Sequence, residues 1–310
     1  MKRGAPHRAF WLVIAALCPL LVHAQAWLPK QGSVSASVAF TDIFDTKHYL
    51  PNGEEIDVGH MRTQSLFMSV SYSPTDRVML SAGVPYVRSE YHGPRPHLDL
   101  ATRKPLEVDN SDYHGFFTDL HVELDYQVAL EPVAFVASLA LVEPTHTYPA
   151  LGHAAPGRDL KEKWVGFFAG KSLDLWIPRT YVQARYSFAF VEPVAGIGHD
   201  RSNVDFEVGH FVLPEWSIRG LLFWQHTHGG IDTPIPQVFP NGQPNPLFPY
   251  HDQLSADSFL NVGLGTSFLL SRRVMVFLLY DTSLQGKNGH KLGQGMNLGF
   301  EYSFTPHSSH

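Results

Sequence analysis

Polar and ionisable side chains occupy every second position between residues 119 and 127. They are Asp119, His121, Glu123, Asp125 and Gln127. Alternate positions of a β-strand share one face, so this pattern predicts a strand with a charged side. Later segments add to the predicted polar face Gln183, Arg185, Asp205, Glu207, Arg219 and Glu301. Such groups can form ion pairs that fill an interior, or line a passage and select solutes by charge. Both roles stay open.

Histidine is the second residue type that could bind a ligand or take part in catalysis, and it occurs 18 times. Four residues lie in or beside predicted loops, where we expect them to line a mouth: His153, His228, His251 and Asp252. Imidazole and carboxylate groups are zinc ligands, and His226 and His228 share one strand face. Because no set of them has the spacing of a four-ligand site, the sequence predicts no metal and no cofactor.

The sequence carries no recognisable catalytic motif. It contains no Gly-x-Ser-x-Gly elbow, and its one His-x-Ser pattern, at His307, lies in the C-terminal tail. No glycine-rich loop precedes a predicted helix, which argues against a nucleotide site. We therefore predict that the protein is not an enzyme, with a lipid-modifying enzyme as the weakest alternative.

Twelve segments with alternating apolar residues must position these side chains. They span residues 33–43, 62–73, 78–91, 112–128, 133–143, 161–173, 180–191, 202–212, 217–227, 257–270, 274–283 and 294–304. The segment 161–173 is ambiguous, since both of its faces are apolar. In the last segment Leu298, Phe300, Tyr302 and Phe304 share a face. An apolar face ending in an aromatic residue resembles the closing strand of an outer-membrane barrel, which predicts recognition by the barrel-assembly machinery.

Connections between these segments alternate in length. The short ones are 73–77, 129–132, 174–179, 213–216 and 271–273, and the long ones are 44–61, 92–111, 144–160, 192–201, 228–256 and 284–293. Outer-membrane barrels have short turns at one end and long loops at the other. We predict an all-β, antiparallel up-and-down transmembrane barrel of about twelve strands, because lipid tolerates only closed sheets. A soluble β-sandwich is the competing fold.

The N-terminus resembles a secretory signal. Lys2, Arg3 and Arg8 precede a short apolar run, and small residues allow cleavage before Gln25 or Trp27. We assign residues 1–26 to the signal and residues 27–310 to the barrel, in the bacterial outer membrane. The single cysteine lies inside the signal, and no later apolar run is long enough for a membrane helix. Loss of the three bases takes the formal charge from −6 to −9, which argues against nucleic acid.

Several stretches are similar to one family, labelled transporter or MetA-pathway of phenol degradation protein. They are residues 81–89, 152–154, 181–186, 201–203, 227–230 and 251–253, and the similarity runs from about residue 27 to 304. The resemblance implies an outer-membrane barrel that passes aromatic or hydrophobic compounds, without a catalytic signature. No N-terminal plug is expected, since only about six residues precede the first strand.

These observations together predict a passive channel for small hydrophobic or aromatic molecules, in contact with membrane lipid and lipopolysaccharide. Twelve strands predict a narrow or partly plugged pore. Val136, Ala140 and Val142 form an apolar part of the predicted lining, either as a wall for solutes or as a core under an inward-folded loop. A closed structural or metal-binding barrel is the alternative function.

Overall fold

Twelve long antiparallel strands pair in chain order, and the last pairs with the first to close a barrel. The computed structural model describes residues 26–99 and 101–304; the predicted signal up to residue 25 lies outside the described residues. The long strands are β1 Val34–Tyr49, β3 His60–Thr75, β4 Val78–His92, β6 Asp119–Ala129, β7 Ala134–Pro144, β8 Glu162–Ser172, β9 Thr180–Val191, β10 His199–Leu213, β11 Trp216–Gly229, β12 Ser258–Ser271, β13 Val274–Lys287 and β14 His290–Phe304. Two short strands are β2 Glu55–Ile56 and β5 His114–Phe117. The predicted fold class is confirmed.

Closure of the barrel is set by the register of β1 between its two neighbours. Val38 of β1 pairs with Phe300 of β14 on one side and with Met68 of β3 on the other. Every long strand therefore has a hydrogen-bonded neighbour on both edges, which leaves no open sheet edge between β1 and β14.

The outer wall of the barrel is apolar. Its exposed side chains include Val38, Leu66, Val70, Leu80, Leu124, Leu139, Val165, Phe206, Leu264, Leu278 and Leu298. Aromatic residues join this surface towards both ends, among them Tyr72, Tyr126, Trp216 and Tyr302 at the end with the short turns. Exposed apolar side chains on one face and buried polar ones on the other are the pattern of a barrel surrounded by lipid. The ambiguous segment 161–173 follows the same rule, with Val165 and Phe167 outside and Phe168 inside.

The predicted strand at 112–128 is interrupted at Thr118, where β5 ends and β6 begins. Pro85 of β4 lies opposite the interruption and has no N–H to donate to a neighbour. The Thr118 N–H instead donates to the Pro85 carbonyl at 3.1 Å. Pairings of β4 before and after this point differ in register by one residue, so the irregularity is a bulge.

The predicted long loop at 284–293 was wrong. Strand β13 continues to Lys287 and β14 begins at His290, which leaves Asn288 and Gly289 as the whole connection. Asn-Gly is the preferred sequence of two-residue hairpins, and Asn288 has φ of 56°, a left-handed conformation that asparagine tolerates. The Asn288 side chain also accepts a hydrogen bond from the backbone of Thr233 at 3.0 Å.

Three long loops meet over one end of the barrel, which we call the loop end; the other is the turn end. They are loop A (residues 93–113), loop B (145–161) and loop C (230–257). Loop C contains α1, the single turn His251–Leu254. Among the described residues, no helix is long and apolar enough to cross a membrane.

The expectation that no N-terminal residues enter the barrel was also wrong. Ala26 is fully buried against Ala134, Val136 and Phe168, whose side chains point inward near the turn end. Gly170 allows this approach, since a Cβ there would lie 2.4 Å from the Ala26 Cβ. Residues 26–28, which lead into the first strand, therefore occupy part of the lumen at the turn end.

Candidate functional site

The candidate site is the barrel lumen together with its mouth at the loop end. Every sequence-predicted lining residue lies at an inward position, buried or half-buried: Asp119, His121, Glu123, Asp125, Gln183, Arg185, Asp205, Glu207, Arg219 and Glu301. Strand alternation accounts for this placement, because the outer positions of the same strands carry apolar side chains. What these residues do for a solute remains a prediction.

Ion pairs join inward-facing side chains of different strands. The Arg185 guanidinium, from β9, donates to the Glu123 carboxylate of β6 at 2.7 Å and lies over the Phe168 ring, 4.8 Å from its centroid. Arg219 of β11 lies 3.5 Å from Glu207 of β10. The Glu207 carboxylate also accepts a hydrogen bond from the Tyr181 hydroxyl at 2.5 Å. Charge in this part of the lumen is therefore compensated within the protein.

Acidic groups outnumber bases around Arg185. Its charge also acts on the carboxyl groups of Asp125 and Asp205, in addition to Glu123. A single guanidinium thus lies among three carboxyl groups.

A cavity of about 300 Å³ lies on the other side of the lumen, bounded by β1 and β10–β14. Its polar lining is Asn203, Asp205, Asn261, Asp281 and Asn297, and its apolar lining includes Ile43, Phe223, Phe259 and Leu279. An apolar cavity of about 150 Å³ can hold benzene. The space is therefore sufficient for one small aromatic molecule, with polar groups available in the lining.

Residues 26–28 narrow the turn end of the lumen. The Leu28 N–H donates to the Gln127 side-chain oxygen at 2.9 Å, and the Gln127 amide donates to the Ala26 carbonyl at 3.0 Å. The Ala26 N–H donates to the Gln183 side-chain oxygen at 3.4 Å. Of the two alternatives left open for the apolar lining, Val136 belongs to a local core, under this N-terminal segment rather than under a loop.

An apolar contact holds loop C against loop B and the barrel wall. Leu254, the last residue of α1, is fully buried against Leu160 of loop B and the inward-facing Ala189 and Val191 of β9. Burying one leucine side chain contributes about 2 kcal/mol, so this contact alone favours the seated position of α1.

Polar contacts join loop C to loop B and to the wall. Arg158 of loop B forms an ion pair with Asp257 at 2.8 Å, and its carbonyl accepts a hydrogen bond from the Gln253 amide at 2.7 Å. The Asp252 carboxylate accepts the Gly152 N–H at 2.8 Å. Gly152 has φ of 131°, and a Cβ there would lie 2.4 Å from Val108 of loop A. The close approach of loops A and B therefore requires glycine.

Histidines from all three loops meet at this contact. We call His97, His153, His251, Asp109 and Asp252 the loop histidine cluster. The ring centroids of His97 lie 4.4 Å from His153 and 5.0 Å from His251. The His97 Nδ1 lies 2.8 Å from an Asp109 carboxylate oxygen, which also accepts the His97 backbone N–H at 2.8 Å. His153, His251 and Asp252 were predicted at the mouth, and the structure brings them together.

The pKa values of His97 and His153 shift in opposite directions within the loop histidine cluster. Burial acts to lower the pKa of His97, but the hydrogen bond to Asp109 and the charge of Asp252 outweigh it and raise the pKa. Burial lowers the pKa of His153 to about 4, reinforced by the neighbouring His97, so this ring is neutral near pH 7. One ring in the cluster thus favours a positive charge while its neighbour excludes one.

His228 lies elsewhere. It belongs to β11, on the outer face of the wall, where its Nε2 lies 2.8 Å from the Ser202 hydroxyl and its ring centroid lies 4.8 Å from that of His226. The structure therefore separates His228 from the other three predicted mouth residues. The last residues of a strand cannot be distinguished by sequence from the first residues of the following loop. The sequence therefore places His228 with the loop residues.

Sequence patterns did not indicate His97, Asp109, Arg158 or Asp257. These residues lie in or next to loops, where no period of two or of 3.6 marks which side chains meet. The one usable signal was the concentration of histidine and aspartate in the three longest external connections.

Comparison with known proteins establishes the fold. No family model matches the sequence, and no curated protein matches it. The structure is similar to the COG4313 outer membrane channel from Pseudomonas putida F1, at 13% identity and a TM-score of 0.67, covering 90% of this chain and 98% of that one. It is also similar to the translocator domain of the autotransporter NalP from Neisseria meningitidis, at 11% identity and a TM-score of 0.50, covering 89% and 90%. The fold is that of a bacterial outer-membrane barrel.

Proposed function

We propose that this protein is a bacterial outer-membrane channel for small aromatic or hydrophobic compounds that carry a polar group. The cavity inside the closed barrel is the observation that carries this proposal, since its lining combines apolar side chains with polar ones. The turn end would face the periplasm and the loop end the exterior. The resemblance to the phenol-degradation transporter family and the fold of an outer membrane channel support the same assignment.

Passage through this cavity predicts that filling it blocks flux. Asn261 lies on the cavity wall in β12, and the next residue, Val262, lies on the outer face of the same strand. We expect Asn261→Trp to lower the flux of a small aromatic acid into proteoliposomes about tenfold, because the added ring occupies the solute's space. Val262→Trp adds the same side chain against lipid and should leave flux unchanged.

Flux in this assay is measured against liposomes without protein. Wild-type protein that passes no aromatic acid faster than empty liposomes would refute the proposed channel. Equal flux through the two tryptophan variants would mean that solute does not use this cavity.

We propose that the protein is not an enzyme. The nearest approach to a nucleophile and its base is Ser202 with His228, on the outer wall. In the part of the chain that the structure describes, the His228 ring contacts Ser202, Phe188 and His226, and no carboxylate is paired with it to orient the ring, as a catalytic triad requires. We expect the wild-type protein to have no lipid-hydrolase activity. Hydrolysis of lipid by the wild type that is lost in Ser202→Ala would contradict this proposal.

We also propose that the signal is cleaved before Gln25 rather than before Trp27. Ala26 contributes its N–H, its carbonyl and its methyl group to the contacts that hold the segment in the lumen. Cleavage before Trp27 would remove all three contacts. The intact mass of protein purified from outer membranes should correspond to a chain that begins at Gln25; a mass beginning at Trp27 would contradict this proposal.

A further inference from the structure

The hydrogen bonds around His97 and His251 fix which ring nitrogens face each other. The Nδ1 of His97 faces the Asp109 carboxylate at 2.8 Å, and the Nδ1 of His251 faces the Phe248 carbonyl at 2.6 Å. A carbonyl oxygen and a carboxylate that already accepts backbone N–H groups can only accept. Both Nδ1 atoms must therefore carry hydrogen, and in neutral rings both Nε2 atoms present lone pairs.

Those two Nε2 atoms lie 3.1 Å apart. The Asp252 carboxylate lies beside them, with its Oδ1 3.2 Å from the His251 Nε2 and its Oδ2 4.0 Å from the His97 Nε2. In neutral rings three electron-pair donors thus converge on one point, where a shared proton or a bound cation can hold them together. Adjacent ligands of a tetrahedral zinc ion, with bonds of about 2.0–2.1 Å, lie about 3.3 Å apart, which is close to the 3.1 Å and 3.2 Å separations here.

We propose that the loop histidine cluster binds one zinc ion through His97, His251 and Asp252, and that the ion fastens loop C to loop A over the mouth. Two imidazoles and one carboxylate are a zinc ligand set that leaves a fourth position open. His97 belongs to loop A, while His251 and Asp252 begin α1 in loop C. The ion would act as a removable fastener of the loop end.

Outer contacts support the ligands as they do in known zinc sites. Asp109 holds the His97 ring by its far nitrogen, as a carboxylate behind a ligating histidine does. The other Asp109 oxygen accepts the Ala154 N–H at 3.1 Å, and Asp252 accepts the Gly152 N–H at 2.8 Å. Loop B therefore orients Asp252 directly and His97 through Asp109, so all three loops contribute to the site.

Binding is tested with the mature full-length protein in detergent, stripped with EDTA and titrated with zinc by calorimetry. We expect one ion per barrel with a dissociation constant below about 1 µM. His97→Ala and His251→Ala should each weaken binding at least about 100-fold, and Asp109→Asn about 10–100-fold. His146→Ala is the matched control, since His146 is an exposed histidine of loop B outside the cluster, and it should bind as the wild type does.

A second readout is spectroscopic. Cobalt substituted at the site should give the intense visible bands of a four-coordinate ion in the wild type and in His146→Ala, but not in His251→Ala. Heat-modifiable migration on gels confirms that each variant is a folded barrel. No zinc binding by the wild type tighter than about 1 mM, or wild-type affinity in His97→Ala and His251→Ala, would overturn the site.

The effect on the mouth rests on the proposed channel function and is tested separately. Zinc added at the loop end of protein in planar bilayers should reduce the current of the wild type and leave that of His251→Ala unchanged. Stoichiometric binding without any change in current would overturn the link between the ion and closure. Zinc-free protein that conducts nothing and passes no solute would refute the channel while leaving the binding result in place.

Discussion

Replacing Leu254 with aspartate should open the loop end of the barrel and raise the conductance of the protein about tenfold. Leu254 is the buried tip of α1, enclosed by Leu160, Ala189, Val191 and Val194. An unpaired carboxylate in such a site costs several kcal/mol, since none of these side chains can hydrogen-bond to it. Shifting a two-state equilibrium from 1:99 to 99:1 takes about 5.5 kcal/mol, so a cost of this size is enough to unseat α1.

The barrel itself should survive Leu254→Asp. The wall is held by ladders of backbone hydrogen bonds between neighbouring strands, and none of these involves loop C. Heat-modifiable migration should therefore match that of the wild type, while single-channel current rises. The effect belongs to the mouth and not to the fold.

Two further variants make the Leu254 experiment specific. Phe239→Asp places the same charge in loop C at an exposed position and should leave the current unchanged. Leu254→Met conserves volume and should behave nearly as the wild type does. A folded Leu254→Asp barrel with wild-type current would mean that loop C does not obstruct the lumen.

The positions of strands and of inward-facing residues could be predicted because one physical constraint acts at every position. Lipid outside and a polar lumen inside force an alternation of period two, and a single error of register would expose Glu123 or Asp125 to hydrocarbon. The frame read from Leu120, Val122 and Leu124 therefore assigns the predicted polar residues to positions that are buried or half-buried in the structure. The same constraint does not distinguish the two faces of segment 161–173. Phe168 faces inward but is apolar, because it packs against the N-terminal segment.

Partners across the lumen could not be predicted. Glu123 and Arg185 lie 62 residues apart on β6 and β9, and their contact depends on the strand number and stagger of the closed barrel. The loop histidine cluster has the same character, since His97 and His251 are 154 residues apart. Such contacts follow from closure, and no local pattern records them.

Local turn chemistry, by contrast, was present in the sequence and was overlooked. Asn288-Gly289 is the strongest short hairpin signal, but the apolar alternation fades in segment 284–293, and this loss of pattern predicts a long loop. Strand β13 is polar near its end, with Thr282, Ser283 and Gln285, since it has left the apolar belt. A strand that extends beyond the membrane loses the pattern that identifies it.

Replacing Arg185 with alanine should destabilise the barrel by about 3 kcal/mol, as measured by urea unfolding in lipid vesicles. Removing one partner of a buried ion pair leaves the other charge uncompensated. Arg185 pairs with Glu123 and its charge also acts on Asp125 and Asp205, so its loss leaves three acidic groups together. Arg272→Ala, at an exposed turn, is the control and should change stability by less than about 0.5 kcal/mol.

Substituting Glu123, the other partner of the ion pair, should reduce stability less than substituting Arg185 does. This difference identifies the role of Arg185. Glu123→Gln keeps a side-chain oxygen that can accept the hydrogen bond of the Arg185 guanidinium, so it should cost less than about 1 kcal/mol. Arg185→Lys keeps the charge but loses the planar contact with Phe168, and should fall between the two. Equal losses in Glu123→Gln and Arg185→Ala would show an isolated ion pair. A smaller loss in Glu123→Gln, with a stronger cation preference of the pore in Arg185→Ala, would show one base that balances a shared acidic lining.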